Sequence, residues 1–434
     1  MNTDDLRRHA EQILADNDRG GYTVPSPTIY PFQWNWDSCF TALGWKAFDP
    51  DRAWRELETL VDHQWDDGMI PHIVFHQDDD RYFPGPDVWD TGHRSPRASE
   101  GILTSGITQP PVLGMVIEAL WIGSAPEHVA TDGRAVPLVE AADRWHQWFV
   151  DARDPHGQGS VAIIHPWEAG RDNAVDWDEG LAAVRTELLL PYRRRDTDHV
   201  DAGERPTDAD YDRYMSLLQT FRSHGWAQSI LHDASPFCMI DPGFNACLIA
   251  SDRSLARVAS GLGLGDLATR ATRRADAVTS ALDALWNPPL GQFSCWNRVD
   301  GTHSDNASVG GLLPLLTLSP ADPRSTSLMA RLEHWMDVAP FGVASQDPTS
   351  RSFDAVRYWR GPSWLVINWL LVRGLRDHGR DDLARRLMES SLGLVSSSGF
   401  REYFNPMTGQ GLGGHRFSWT ASITLEFLAE PRRC

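Results

Sequence analysis

Apolar residues recur at three- and four-residue intervals along most of the chain. The pattern predicts helices over Ser38–Ala47, Pro50–Gln64, Pro111–Ile122, Ala135–Ala152, Trp177–Leu190, Tyr211–His224, Phe244–Leu262, Asp266–Trp286, Ser308–Leu316, Ser325–Val338, Pro362–His378, Asp381–Ser396 and Ser418–Leu428. The opening MNTDDLRRHAEQILADN reads as a further amphipathic helix, without the apolar stretch of a signal peptide. Few segments alternate with period two, so strands are expected to be minor. The helices fall into successive hairpins, and their connections are rich in Gly, Pro, Asp and Asn, as turns require. No break in composition marks a linker, so residues 1–434 read as one domain. Stacked hairpins either extend as a solenoid or close into a ring. A strict sequence repeat, expected of an open superhelix, is not evident. The expectation is an all-α (α/α)6 toroid, a barrel of six helical hairpins.

The connections differ in character. Gly263–Gly265 and Gly379–Arg380 are short and plain. Tyr30–Asp37, Gln64–Trp89, His165–Asp178, Ser345–Trp364 and Phe400–Phe417 are long, aromatic and acidic. In a ring, one set of elaborate loops shares one face and reads as a site. The segment Arg193–Asp212 is very polar and has no apolar periodicity; it is either a disordered insertion or a lid.

Composition narrows the function. Hydrophobic residues make up 41% and charged residues 23% of the 434, ordinary values for a globular protein. The formal charge of −19, from 59 acids against 40 bases, leaves no cationic excess for phosphates and argues against nucleic acid as a partner. No apolar run approaches a membrane span. Cys39, Cys238, Cys247, Cys295 and Cys434 are scattered without a C-x-x-C pair, so reduced thiols and a cytoplasmic location are expected. The 19 tryptophans stand out, many of them beside Asp, Asn, Gln or Gly.

That neighbourhood is densest in HPWEAGRDNAVDWDE, His165–Glu179. Flat aromatic faces beside carboxylates suit a sugar, whose C–H side stacks on rings while acids meet its hydroxyls and glycosidic oxygen. The alternative is a polar connection with tryptophan anchors. In PFQWNWDSCF, Gln33, Asn35 and Asp37 alternate with Trp34 and Trp36 at a helix start, where Asp37 would also serve as an N-cap. His72 and His76 lack a third ligand at metal spacing, and Asp78–Asp80 lacks a calcium-loop pattern, so no metal and no cofactor is expected. Tyr82 and Gln109 lie in similar loops. Tyr358, Trp359 and Arg360 stand at the mouth of a helix whose first turn would hold Pro362. The glycines after Glu402 are not a phosphate loop, because no GK[ST] follows. The carboxylates offered to one pocket are Asp37, Glu168, Asp172, Asp176, Asp178, Asp354 and Glu402. Glycoside hydrolysis needs two of them, and composition does not choose the pair.

The motifs QWNWDSCF, EAGRDN, YWRGPSW and EYFNPMTGQG…FSWTA, in this order and spacing, resemble glycoside hydrolase family 63. More loosely they resemble the trehalases and glucoamylases of the (α/α)6 fold. The resemblance spans about nine tenths of the chain. It implies an inverting enzyme with Asp172 as general acid and Glu402 as general base, their carboxyls roughly 6.5–9.5 Å apart. The early position of QWNWDSCF, with no β-domain before it, is similar to the short bacterial and plant members that hydrolyse mannosylglycerate and glucosylglycerate. Their lid resembles ERPTDADYDRY, which implies a lid insertion over residues 193–215 with Arg205 and Tyr211 on the glycerate carboxylate. An arginine fork suits a carboxylate approaching a protein of charge −19. Tyr30, Tyr82 and Tyr358 would add phenolic hydrogen bonds. Trp36, Asp37, His72, Gln109, Trp167 and Trp364 match the sugar side. The implied partner is a small sugar with an anionic aglycone; oligomeric state stays open. The rival readings are a neutral α-glucoside hydrolase of trehalase type, a sugar isomerase or epimerase, and a non-catalytic sugar-binding protein.

Overall fold

A computed structural model describes residues 1–123, 133–186 and 189–429. Its principal helices are α1 (Thr3–Asn17), α2 (Asn35–Lys46), α3 (Pro50–Val61), α4 (Leu113–Gly123), α5 (Ala135–Arg153) and α6 (Asp208–Ser223). They continue with α7 (Pro242–Gly261), α8 (Gly265–Leu282), α9 (Pro323–Val338), α10 (Leu365–Asp377), α11 (Asp381–Ser398) and α12 (Ser418–Ala429). Side-chain caps start several of them: Asp49 receives the Arg52 amide before α3, Asp241 the Gly243 amide before α7, and Asp322 the Arg324 amide before α9.

The inner wall closes. α2 packs on α4, α4 on α7, α7 on a 3₁₀ turn at Leu313–Leu316, that turn on α10, α10 on α12, and α12 back on α2. Outside it, α3 backs α2, α5 backs α4, α8 backs α7, α11 backs α10, and α1 backs α12. The first helix therefore completes the last hairpin. α2, α4, α7, α10 and α12 are buried on most sides, as expected of helices with neighbours all round. One contiguous core runs through them.

Three expected helices come out differently. Trp177–Leu190 shortens to Asp178–Ala182 after a 3₁₀ turn at Val175–Trp177. Pro191 disfavours helix at the residue before it, and two residues of the span, 187 and 188, lie outside the described part, as does Cys434. Ser308–Leu316 forms two 3₁₀ turns, Val309–Gly311 and Leu313–Leu316, because Gly310, Gly311 and Pro314 weaken an α-helix while still filling a wall position. α10 starts at Leu365, so Pro362 precedes the helix rather than sitting in its first turn. The expected hairpin of Trp177–Leu190 with Tyr211–His224 is not part of the ring: α6 lies outside it, followed by an unforeseen short helix Gln228–Ala234. Cys39, Cys238, Cys247 and Cys295 are buried free thiols. Among the described residues no helix is long and apolar enough to cross a membrane.

Strands occupy the loops of one end. β1 (Gln33–Trp34), β2 (Ile73–Phe75) and β3 (Leu103–Thr104) make an antiparallel sheet, with Gln33 opposite Val74 and Val74 opposite Thr104. Later in the chain, Arg401–Phe404 pairs antiparallel with Gly411–His415, with a register shift after Leu412. This hairpin replaces the expected irregular glycine-rich loop and carries Glu402.

Candidate active site

The loops enclose a small, partly open pocket. Tyr30, Trp34, Trp36, Asp37, His72, Tyr82, Gln109, Trp167, Gly170, Asp172, Tyr358 and Glu402 line it, joined by Pro25, Phe417 and Trp419. Three of the seven carboxylates considered above meet there: Asp37, Asp172 and Glu402.

The other four have structural partners. Glu168 is held by Arg153 at 2.6 Å and by the Ile164 amide. Asp176 and Asp241 flank Arg171, each 3.0 Å away, and the guanidinium lies over Trp177. Asp178 takes both terminal nitrogens of Arg360 at 2.8 and 2.6 Å. Asp354 accepts the amides of Val356 and Arg357 and so closes its own turn.

The loop bearing Asp172 is held from below. Tyr214 of α6 donates to the Asp172 carbonyl at 2.9 Å, and Trp177 donates its indole N–H to the Arg171 carbonyl at 2.8 Å. Gly170 sits at φ 67°, and a Cβ there would come within 2.7 Å of the Trp36 ring. Only glycine brings this turn so close to the indole. Among the described residues, no side chain donates a hydrogen bond to the Asp172 carboxyl. Burial, then the nearby Glu402 charge, push it up to about 8, with Arg205 pulling the other way. Asp37, in the first turn of α2 rather than at its N-cap, is also raised well above the carboxylate range by burial, Glu402 and Asp172. Its Oδ1 is buried without a partner.

Glu402 has the opposite environment. Tyr30 donates to Oε1 at 3.1 Å; Arg205 and the Gly414 amide donate to Oε2 at 3.1 and 2.9 Å. These donors fix the orientation of the carboxylate. The Arg205 guanidinium also reaches the Tyr30 hydroxyl at 3.0 Å and lies 4.8 Å from the Tyr358 ring centroid.

Aromatic walls surround these groups. Trp34 and Tyr82 meet edge-on at 5.1 Å, and His72 lies nearly parallel to Trp167 at 6.3 Å. Burial, with His165 nearby, lowers His72 to about 3, so it is neutral; its Nδ1 is buried and unpartnered. Gln109 faces the sugar side only in part, because its Oε1 receives the Trp36 amide.

Four expected residues stand behind the lining. Trp359 stacks on Trp364 at 3.8 Å, and Trp364 stacks on Tyr403 at 4.5 Å. Tyr211 spends its hydroxyl on the Phe83 carbonyl at 2.9 Å and packs near Trp167. Arg205 reaches the pocket only through Glu402 and Tyr30. Sequence reasoning missed Pro25, Gly170, Phe417 and Trp419 as lining, although FSWTA itself contains the last two. One His/Asp group, His156, His232 and Asp233, clusters its ligand atoms outside the pocket. Arg298 donates to His232 Nε2 at 2.8 Å, which leaves the proton on Nδ1 facing Asp233, so a hydrogen-bond relay satisfies this group.

A helical ring with aromatic walls and two carboxylates of contrasting environment defines a carbohydrate-cleaving enzyme. The family model described as the mannosylglycerate hydrolase MGH1-like glycoside hydrolase domain matches residues 30–420, and the chain belongs to that family of glycoside hydrolases. Mannosylglycerate hydrolase of Thermus thermophilus is 43% identical over 417 residues, 96% of this chain and 99% of that one. Glucosylglycerate hydrolase of Mycolicibacterium hassiacum is 33% identical, over 98% of this chain and 97% of its own. A crystal structure of family 63 mannosylglycerate hydrolase from Thermus thermophilus, in complex with Tris and D-glycerate, superposes with a TM-score of 0.91 at 42% identity, covering 98% of this chain and 100% of that one. The resemblance to family 63 and the toroid are thus borne out. Neutral trehalase from Saccharomyces cerevisiae shares the fold at 16% identity.

Proposed function

We propose that this protein is an inverting α-glycosidase that hydrolyses glucosylglycerate or mannosylglycerate to hexose and glycerate. The observation that carries the reading is the contrast between two carboxyls of one pocket: Asp172 raised to about 8, Glu402 holding three donors. A carboxyl raised this far keeps its proton at neutral pH and can act as the acid, and a carboxyl held by donors can act as the base. Asp172 donates its proton to the glycosidic oxygen as the bond to the anomeric carbon breaks. Glu402 takes a proton from water as its oxygen bonds to that carbon from the opposite face. Trp34, Trp36 and Trp167 supply ring faces, and Asp37, His72 and Gln109 meet hydroxyls. The two buried unpartnered atoms, Asp37 Oδ1 and His72 Nδ1, are suited to this.

Arg205 supports the anionic aglycone. It is the cation that reaches Glu402 and Tyr30, and the relative above was crystallised with D-glycerate. Residues 193–215 act as a lid on a single catalytic domain, residues 1–434, with Arg205 and Tyr211 on it. Incubation with glucosylglycerate, mannosylglycerate and trehalose, with free hexose detected by NMR, tests the reading. The β-anomer should appear first from a glycerate glycoside. Release from trehalose alone, or first appearance of the α-anomer, overturns it.

A further inference from the structure

The lid turn Ala202–Glu204 does more than cover the pocket. Asp201 caps it by accepting the Gly203 amide at 2.8 Å. The Glu204 carbonyl accepts the Tyr358 amide and the Tyr403 hydroxyl, each at 3.0 Å. Its side-chain Oε2 accepts the Gly413 amide at 2.8 Å. The next amide along the hairpin, that of Gly414, donates to Glu402 Oε2 at 2.9 Å. The next lid residue, Arg205, donates to the same oxygen.

Two consecutive amides are thus divided between two carboxylates, one on the lid and one in the pocket. Gly413 stands at φ 63°, and a Cβ there would meet Glu402 Oε2 and the Tyr403 ring at 2.5 Å. Across the hairpin, Arg401 donates to the Gly413 carbonyl at 2.9 Å, and the register shifts immediately after Leu412. Gly413 has no side chain to limit its own dihedrals, so the peptide on its N-terminal side needs a partner of its own. Glu204 supplies the restraint from outside.

We propose that Glu204 is a positioning residue for the reaction: its carboxylate fixes the Leu412–Gly413 peptide by its N–H and so, together with Arg401 on the Gly413 carbonyl, turns the Gly414 N–H toward Glu402. The inference rests on Glu402 as the general base. The same grip sets Arg205 against Glu402, so the docked lid and the oriented base form one unit. A lid that merely retained the aglycone would need Arg205 but not a carboxylate on the hairpin.

Glu204→Ala and Glu204→Gln test this. Losing a charge-assisted hydrogen bond at the base should lower kcat about tenfold in the alanine variant, with KM changed less than kcat. Glutamine keeps an acceptor oxygen and should recover most of that loss. Unchanged kcat with a raised KM, or a glutamine variant as impaired as alanine, overturns the proposal. Hydrogen exchange without substrate supplies an independent reading: the Gly413 and Gly414 amides should exchange faster in Glu204→Ala than in the parent. Equal exchange rates overturn the restraint whatever the enzyme's substrate. Faster exchange in a protein inactive on every glycoside would uphold the restraint and reject the assigned reaction.

Discussion

Replacing Asp172 by Asn should destroy activity and stabilise the protein. Asp172 titrates at about 8 in the fold, raised by burial and Glu402. An unfolded chain would hold it near 3.9, so at pH 7 folding must take up a proton. The stabilising contribution of the group is complete below about 3.9 and is lost as pH rises through about 8. At pH 7 the gap from 3.9 is about three pH units, which opposes folding by about 4 kcal/mol. The carboxyl is only half-buried, and water on its open side screens the penalty, leaving about 2 kcal/mol as the expected gain. Asparagine has nearly the same shape and no charge to neutralise. For a chain of this size the gain corresponds to a rise in melting temperature of about 2 °C. Thermal unfolding of both proteins at pH 7 and pH 4.5 is the assay. The difference should be present at pH 7 and shrink to a fraction at pH 4.5, which lies only about 0.6 pH units above the unfolded value. An Asn variant no more stable at pH 7, or equally advantaged at both pH values, would refute the argument that this carboxyl is held against its solution preference.

Three further outcomes follow from the same geometry. Turnover should fall as pH rises through about 8, because the acid loses its proton there; a kcat flat to well above that value would remove Asp172 from the acid role. Arg205→Ala leaves Glu402 buried without its cation and should lower kcat/KM for a glycerate glycoside about a hundredfold or more, with Arg205→Lys intermediate. An unchanged kcat/KM would take Arg205 out of the site. Gly170→Ala meets both a left-handed backbone and the Trp36 ring, so it should cost about 1–2 kcal/mol in stability and weaken sugar binding; unaltered KM would show that the turn tolerates a side chain.

The toroid was legible because helix periodicity is local: each amphipathic stretch announces the face it buries, and the alternation of plain and elaborate loops marks one end of a ring. The motifs carried the family, and with it Asp172 and Glu402. Periodicity failed where backbone chemistry overrode it. Ser308–Leu316 has apolar spacing, yet two glycines and a proline make it a pair of 3₁₀ turns. The glycine-rich stretch after Glu402 looked irregular and is half of a hairpin, since pairing with Arg401–Phe404 comes from tertiary placement.

By itself the sequence determined the helical class, the acidic and aromatic character of the loops, and the set of carboxylates available for chemistry. Only the tertiary structure reduced seven carboxylates to three in one pocket, because convergence depends on ring closure by α1 and α12, far apart in the chain. The contrast between two of these carboxyls is likewise decided in three dimensions. Asp172 and Glu402 have the same functional group; burial without donors raises one, while Tyr30, Arg205 and the Gly414 amide hold the other. A carboxyl's proton affinity is set by its neighbours in space, which the order of residues does not record.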